Sequence, residues 1–145
     1  MNTPNSLLPQ KSTFYGATAD ELKQKREAVG WRAWFDQRLL FPHHGEVILE
    51  SRKLTLNSWL TLKPEEITNL RLEFTPLYPR SLAGGVRGQF PSLGIFSAGR
   101  PLILETVPVG EIYLLIGYKW LWGTTQNAKW FAMLSNWLIA SHRNP

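Results

Sequence analysis

Residues 101–120, PLILETVPVGEIYLLIGYKW, constrain the fold more than any other stretch of the chain. Two apolar runs flank Pro108-Val109-Gly110. A three-residue loop with glycine in the left-handed position is a common way to reverse an antiparallel pair. That loop pairs Thr106 with Ile112, Leu104 with Leu114 and Leu102 with Ile116, and these six side chains then share a core face. Glu105 opposite Tyr113 and Val107 opposite Glu111 fall outside. A slip of one residue would invert every side chain, so the apolar pattern selects the register.

A second amphipathic element follows. Thr124, Thr125 and Asn127 are N-cap residue types, and after them Trp130, Phe131, Leu134, Trp137 and Leu138 recur at three- and four-residue spacing. This is one apolar helical stripe. A lone helix after antiparallel strands must bury its stripe on something, and the open end of the β layer is the economical target. These five residues are therefore read as a structural lid rather than as an aromatic ligand box or a platform for stacking bases. Lys129 is the only charge between Asn127 and Ser141. Cover for Met133, Asn136 and Ile139, by an N-terminal arm or a second subunit, is expected to account for that.

Upstream, residues 45–74 read as strands. Val47 and Leu49 alternate, then Leu54 and Leu56, then Leu60 and Leu62, with a phase change near Ser51 or Arg52 that predicts a β-bulge. Asn57-Ser58 predicts a turn. Leu70, Leu72 and Phe74 oppose Arg71 and Glu73, the pattern of a half-buried strand. Residues 75–91 form a long loop rich in Pro and Gly, and residues 92–97 a short strand. At the other end, residues 1–17 show no period and read as an arm. Thr18 and Glu21 match a capping box for a helix over about 19–29, stopped at Gly30. Residues 31–41 fit either a strand or a helix. The extended reading, with Trp31, Ala33, Phe35, Leu39 and Phe41 on one face, is slightly preferred.

The chain has 145 residues, 43% hydrophobic, and no cysteine. One domain is expected, and disulfides, thiolate metal sites and cysteine nucleophiles are excluded. No secretory signal and no run long enough to cross a membrane is visible, so a cytoplasmic location is expected. The net charge of +5 reads first as a soluble surface with an excess of Lys and Arg and second as attraction to anions; no basic run of five or more marks a nucleic-acid arm, and Lys23, Lys25 and Arg26 are flanked by Asp20, Glu21 and Glu27.

The order of elements resembles the pleckstrin-homology-like (PH-like) superfamily, in particular its bacterial PH/GRAM-like branch. The residues that carry the resemblance are GEVIL and KLTL, then LTLKPEEITNLRLEF with Leu62-Lys63-Pro64-Glu65-Glu66-Ile67 before a strand, then the terminal hairpin and the helix from Trp130. It spans roughly residues 31–141. It implies a mainly β (α+β) fold: a partly open antiparallel barrel of about seven strands capped by a C-terminal helix. Residues 1–30 are then an N-terminal arm and short helix, and residues 31–145 the PH-like domain. It also implies a binding or scaffolding module rather than an enzyme. Some members bind phosphoinositide headgroups through basic residues in the first inter-strand loop; if that loop is residues 42–46 here, it carries His43 and His44 and no Lys or Arg.

The residues offer little chemistry beyond this. His43 and His44 are adjacent and would point to opposite sides of an extended chain, so no metal site is expected, and no cofactor. GIFSAG, with Ser97, has one residue too many for G-x-S-x-G. Glu65 with Glu66, and Glu105 with Glu111, lack an environment that would raise a carboxyl pKa. The best ligand candidate is an anion site formed by Arg80 and Arg87 around Gly84 and Gly85, with Arg100 near by, because glycine-rich backbone and guanidinium forks suit anions. The expected function is a non-catalytic module that binds a protein partner or itself as a homodimer. The alternative is an anionic ligand, phospholipid headgroup or membrane surface held by the 75–91 loop.

Overall fold

The structure is a computed structural model and describes residues 8–80, 99–120 and 124–143. Among the described residues it is mainly β with two α-helices. The strands are β1 (Gln10–Thr18), β2 (His43–Leu49), β3 (Leu54–Leu56), β4 (Leu60–Leu62), β5 (Ile67–Leu72), β6 (Leu102–Thr106) and β7 (Gly110–Ile116), and the helices are α1 (Ala19–Val29) and α2 (Asn127–Arg143). The strands form one antiparallel sheet in the order β4-β3-β2-β1-β7-β6-β5, curled into a half-barrel. This arrangement, with its C-terminal helix, is consistent with a PH-like topology.

Residues 10–18 correct the expectation of an arm. They form the central strand of the sheet, with Phe14 opposite Gly45 on β2 and opposite Ile116 on β7. The boundary drawn at residue 30 thus cuts through a continuous sheet. Close approach explains Gly16: a Cβ there would run into the Trp59 ring and Leu114.

The Thr18 capping box forms as read. The Glu21 N–H donates to Thr18 Oγ1 at 3.1 Å, and the Thr18 N–H donates to Glu21 Oε1 at 2.9 Å. Gly30 ends α1 with φ of 63°. Residues 31–41 are not extended. They make two 3₁₀ helices, Gly30–Trp34 and Gln37–Leu40, because the Asp36 carboxylate accepts from the Arg38 N–H and restarts the helical turn. The phase change at Ser51 and Arg52 is a tight reversal rather than a bulge. Leu49 pairs with Leu54, and the Glu50 N–H donates to the Lys53 carbonyl at 2.9 Å. The Asn57-Ser58 turn forms, with Ser58 at φ of 66°.

The β6–β7 hairpin keeps its faces and shifts its register by two. Thr106 pairs with Gly110, Leu104 with Ile112 and Leu102 with Leu114. Gly110 is left-handed, at φ of 78°. The loop nevertheless closes earlier than expected, because Thr106 Oγ1 accepts from the Val109 N–H and donates to the Gly110 carbonyl. An even shift leaves inward residues inward, so Leu102, Leu104, Thr106, Ile112, Leu114 and Ile116 are all buried. Glu105 now faces Glu111 across the ladder, and Ile103 faces Tyr113.

Two cores result. One face of the sheet packs Phe14, Val47, Leu49, Leu56 and the hairpin against α2, which inserts Trp130, Leu134 and Trp137 with no more than 1% exposure. Phe131 and Leu138 pack at the edge of this core, half-buried. All five residues of the expected lid thus face this core. Asn136 and Ile139 on the outer side of α2 are exposed, and Met133 leans on the core. The opposite face of the sheet is also covered. Ile103, Tyr113 and Leu115 pack with Ala17, Leu22, Ala33, Leu40, Phe41 and Tyr78 in a second core beneath α1 and the 3₁₀ helices. The hairpin face expected to lie outside is thus largely interior.

Candidate functional site

Among the described residues, the connection from β1 to β2 carries the most exposed large apolar side chains. Trp31 is 70% exposed, Phe35 59%, Leu39 43% and Trp34 37%. Large apolar side chains grouped on a surface mark an interaction site far more often than scattered ones do. The local cause is an inverted pattern. The residues this segment turns inward are Ala33, Gln37 and Leu40, three and four apart, which leaves the aromatics on the outside.

Polar bonds hold the inverted segment in place. Gln37 is fully buried; its Nε2 donates to the Ala33 and Trp34 carbonyls at 3.0 and 3.1 Å, and its Oε1 accepts from the Tyr118 hydroxyl at 2.6 Å. Burial, with Asp36 near by, pushes the Tyr118 hydroxyl pKa well above its ordinary value, so it remains a donor. Trp120 Nε1 donates to the Phe35 carbonyl at 2.8 Å, and the Arg38 guanidinium lies 4.9 Å above the Trp120 ring. Arg38 also forks the Asp36 carboxylate at 2.8 and 3.0 Å. Trp31 and Phe35 meet edge to face at 5.8 Å. The patch is a fixed feature bolted to the second core.

A brace secures the far end of the same connection. His43 Nε2 sits 3.0 Å from both Glu21 carboxylate oxygens, and its ring stacks on Trp59 at 4.2 Å. Trp59 in turn stacks on Phe14. Burial acts to raise the Glu21 carboxyl, but the Thr18 N–H and His43 outweigh it and hold the carboxyl below its ordinary value. One carboxylate thus caps α1 and ties it to the start of β2.

A separate polar cluster lies at the other end of the sheet. Arg71 bonds Glu73 at 2.6 Å and Glu111, and its Nε lies 3.8 Å from Glu105. It separates the two glutamates that the hairpin places face to face. Burial acts to lower the Arg71 pKa, but its Glu73 and Glu111 partners raise it overall. Beside it an open cleft of about 450 Å³ is lined by Arg71, Glu73, Thr75 and Tyr113, and the Thr75 and Tyr113 hydroxyls are 2.8 Å apart. Arg26 ties α1 to this region through the Pro76 and Leu77 carbonyls.

The expected anion site is only partly within view. Arg80 is exposed, Arg87 lies outside the described residues, and Arg100 is half-buried, with Nη1 3.5 Å from the Leu72 carbonyl. Gly84, Gly85 and Ser97 also lie outside the described residues. Of the two histidines, His43 serves the brace, and His44 packs near the Tyr15 ring at 6.0 Å. Among the described residues no three potential metal ligands converge, and no helix is long and apolar enough to cross a membrane.

No family model, curated protein or solved structure gives a significant match to this chain.

Proposed function

We propose that this chain is a non-catalytic PH-like binding module that engages its partner through Trp31, Trp34, Phe35 and Leu39. The observation that carries this reading is the exposure of four large apolar side chains on a segment held rigid from below. Exposed aromatics on a mobile loop could fold away. Here Gln37 and Trp120 fix the backbone, so the rings stay out at a constant cost in apolar hydration, and a partner that covers them recovers that free energy. The polar clusters fit the same reading, because each has a structural task. Glu21 and His43 brace a helix cap, and Arg71 neutralises opposed glutamates.

Site-specific photo-crosslinking tests the proposal. A benzophenone amino acid replaces Trp31 in the full chain, and the control position is Thr61, which is exposed on β4. Crosslinks in the native cells to protein, lipid or a second copy from position 31, and few from position 61, support a binding module. Equal labelling at the two positions refutes it.

A further inference from the structure

We propose that the partner of the aromatic patch is single-stranded nucleic acid, whose bases stack on Trp31 and Phe35 without regard to base sequence. This rests on the reading of the patch as a binding surface and adds the class of ligand it takes.

The two aromatic groups of the chain differ in what they offer a base. Trp130 and Trp137 on α2 are no more than 1% exposed and present no face to a ligand, whereas Trp31 is 70% and Phe35 59% exposed. Trp31 and Phe35 meet edge to face, with centroids 5.8 Å apart and planes at 87°, so they do not cover each other as a parallel stack would. Flat ring surface is left to solvent. Every nucleobase has a matching π face, and aromatic side chains that receive it hold single strands with little sequence preference. A third stacking surface adjoins these rings. The Arg38 guanidinium lies 4.9 Å above Trp120, and the Trp120 Nε1 donates to the Phe35 carbonyl. Bases stack on guanidinium planes as well as on rings.

The platform is already ordered before a ligand arrives. Buried Gln37 fixes the Ala33 and Trp34 carbonyls, and the Phe35 and Asp36 N–H groups donate to the Arg32 carbonyl at 3.1 Å. A preformed surface spares the ordering cost of binding.

Charge completes the match. Arg32, Arg38 and Lys119 are exposed beside the rings, and the carboxylate of the segment, Asp36, is forked by Arg38. The three glutamates around Arg71 lie at the other end of the sheet. Positive charge therefore gathers around the rings, in a chain of net charge +5. An apolar partner would use the rings and leave the cations idle, and a plain polyanion would do the reverse. A single strand supplies a π face and a phosphate in every nucleotide and uses both. A duplex hides its base faces in its own stack, and the 3₁₀ helices here, of five and four residues, are too short to fill its major groove.

Fluorescence anisotropy of the full chain with labelled strands of about 15 nucleotides, within the length a small module covers, tests this. Wild type is expected to bind oligothymidylate or oligouridylate, and the stronger of the two tells DNA from RNA, since only the latter offers a 2′-OH. A duplex and an abasic strand of the same length, which keeps the phosphates and lacks the bases, should each bind about tenfold more weakly or less well still. Trp31→Ala/Phe35→Ala should lose about thirtyfold, the low end for two stacked bases. Arg32→Gln should reduce the slope of log affinity against log salt by about 0.7, one phosphate contact. Both positions of the double variant are exposed, and an unchanged circular dichroism melt confirms its fold. Equal affinity for abasic and base-bearing strands, equal binding by the double variant, or no binding to either base-bearing strand at low salt overturns the nucleic-acid assignment and leaves the binding-module reading standing. Crosslinks from position 31 that all go to one protein and survive nuclease also overturn it, in favour of a protein groove. Equal labelling from positions 31 and 61 removes the binding-module reading and this inference with it.

Discussion

Asn127 joins the lid helix to the sheet, and its removal should be costly. Its side chain is 1% exposed and makes three bonds to backbone. Oδ1 accepts from the Ile116 N–H at 2.8 Å, and Nδ2 donates to the Arg100 carbonyl at 2.8 Å and the Leu114 carbonyl at 3.0 Å. Asn127→Ala strands one buried N–H and two carbonyls. An unsatisfied buried donor costs about 1–3 kcal/mol, and carbonyls with a second lone pair cost less, so the total should be about 3 kcal/mol. That is a large share of the roughly 5–15 kcal/mol that stabilises a domain. Asn127→Asp refines the test. A carboxylate can still accept from Ile116, but it places negative charge against two carbonyl oxygens. Burial and this repulsion raise the folded-state pKa of the introduced group above its unfolded value of about 3.9. The neutral form is thus the better tolerated one, and it can donate to one carbonyl. The stability of Asn127→Asp relative to wild type should be lowest at neutral pH, recover as pH falls through the raised folded pKa, and level off below the unfolded one. Urea unfolding followed by circular dichroism, from pH 7 down to about pH 3, measures both variants. An alanine cost below about 1 kcal/mol would refute the reasoning. So would an Asn127→Asp curve that runs parallel to the wild type at every pH.

Two further outcomes test the lid and the brace. Trp137 is 1% exposed and its Nε1 donates to the Ser51 carbonyl at 3.1 Å, so Trp137→Ala should cost about 3–5 kcal/mol; Ile139→Ala, at a position 53% exposed, should stay within about 0.5 kcal/mol, and similar costs for the two in denaturant titrations would reverse the helix orientation. The Glu21 carboxyl is held below its ordinary value in the fold, so its contribution is present above the unfolded pKa and fades as pH falls through the folded one. The stability gap between wild type and Glu21→Gln, measured by thermal melts, should therefore narrow below about pH 4.3, and a gap independent of pH would contradict the brace.

The candidate site was the least legible part of the chain. In residues 31–41 the eye follows Trp31, Phe35 and Leu39 inward, because aromatics usually carry burial. The structure turns Ala33, Gln37 and Leu40 inward instead. Gln37 is acceptable there only because the Ala33 and Trp34 carbonyls and the Tyr118 hydroxyl meet it, and Tyr118 is 81 residues away in the sequence. The hairpin held a usable signal for its second core. Ile103, Tyr113 and Leu115 alternate with the first apolar set, and a strand that is apolar on both faces is covered on both.

What the sequence determined by itself is local. The Thr18–Glu21 cap, the Gly110 and Asn57-Ser58 turns, the faces of the hairpin and the apolar stripe of α2 each rest on residues within a few positions of one another, where propensity and period act directly. Tertiary structure alone decided the rest. Strand β1 is central although its sheet positions hold Gly16 and Ala17, because its neighbours β2 and β7 lie about 30 and 100 residues away in sequence and their pairing leaves no short-range pattern. The aromatic patch is likewise a product of what packs beneath it, since exposure is a property of the whole assembly of elements and is not encoded in the spacing of the exposed residues themselves.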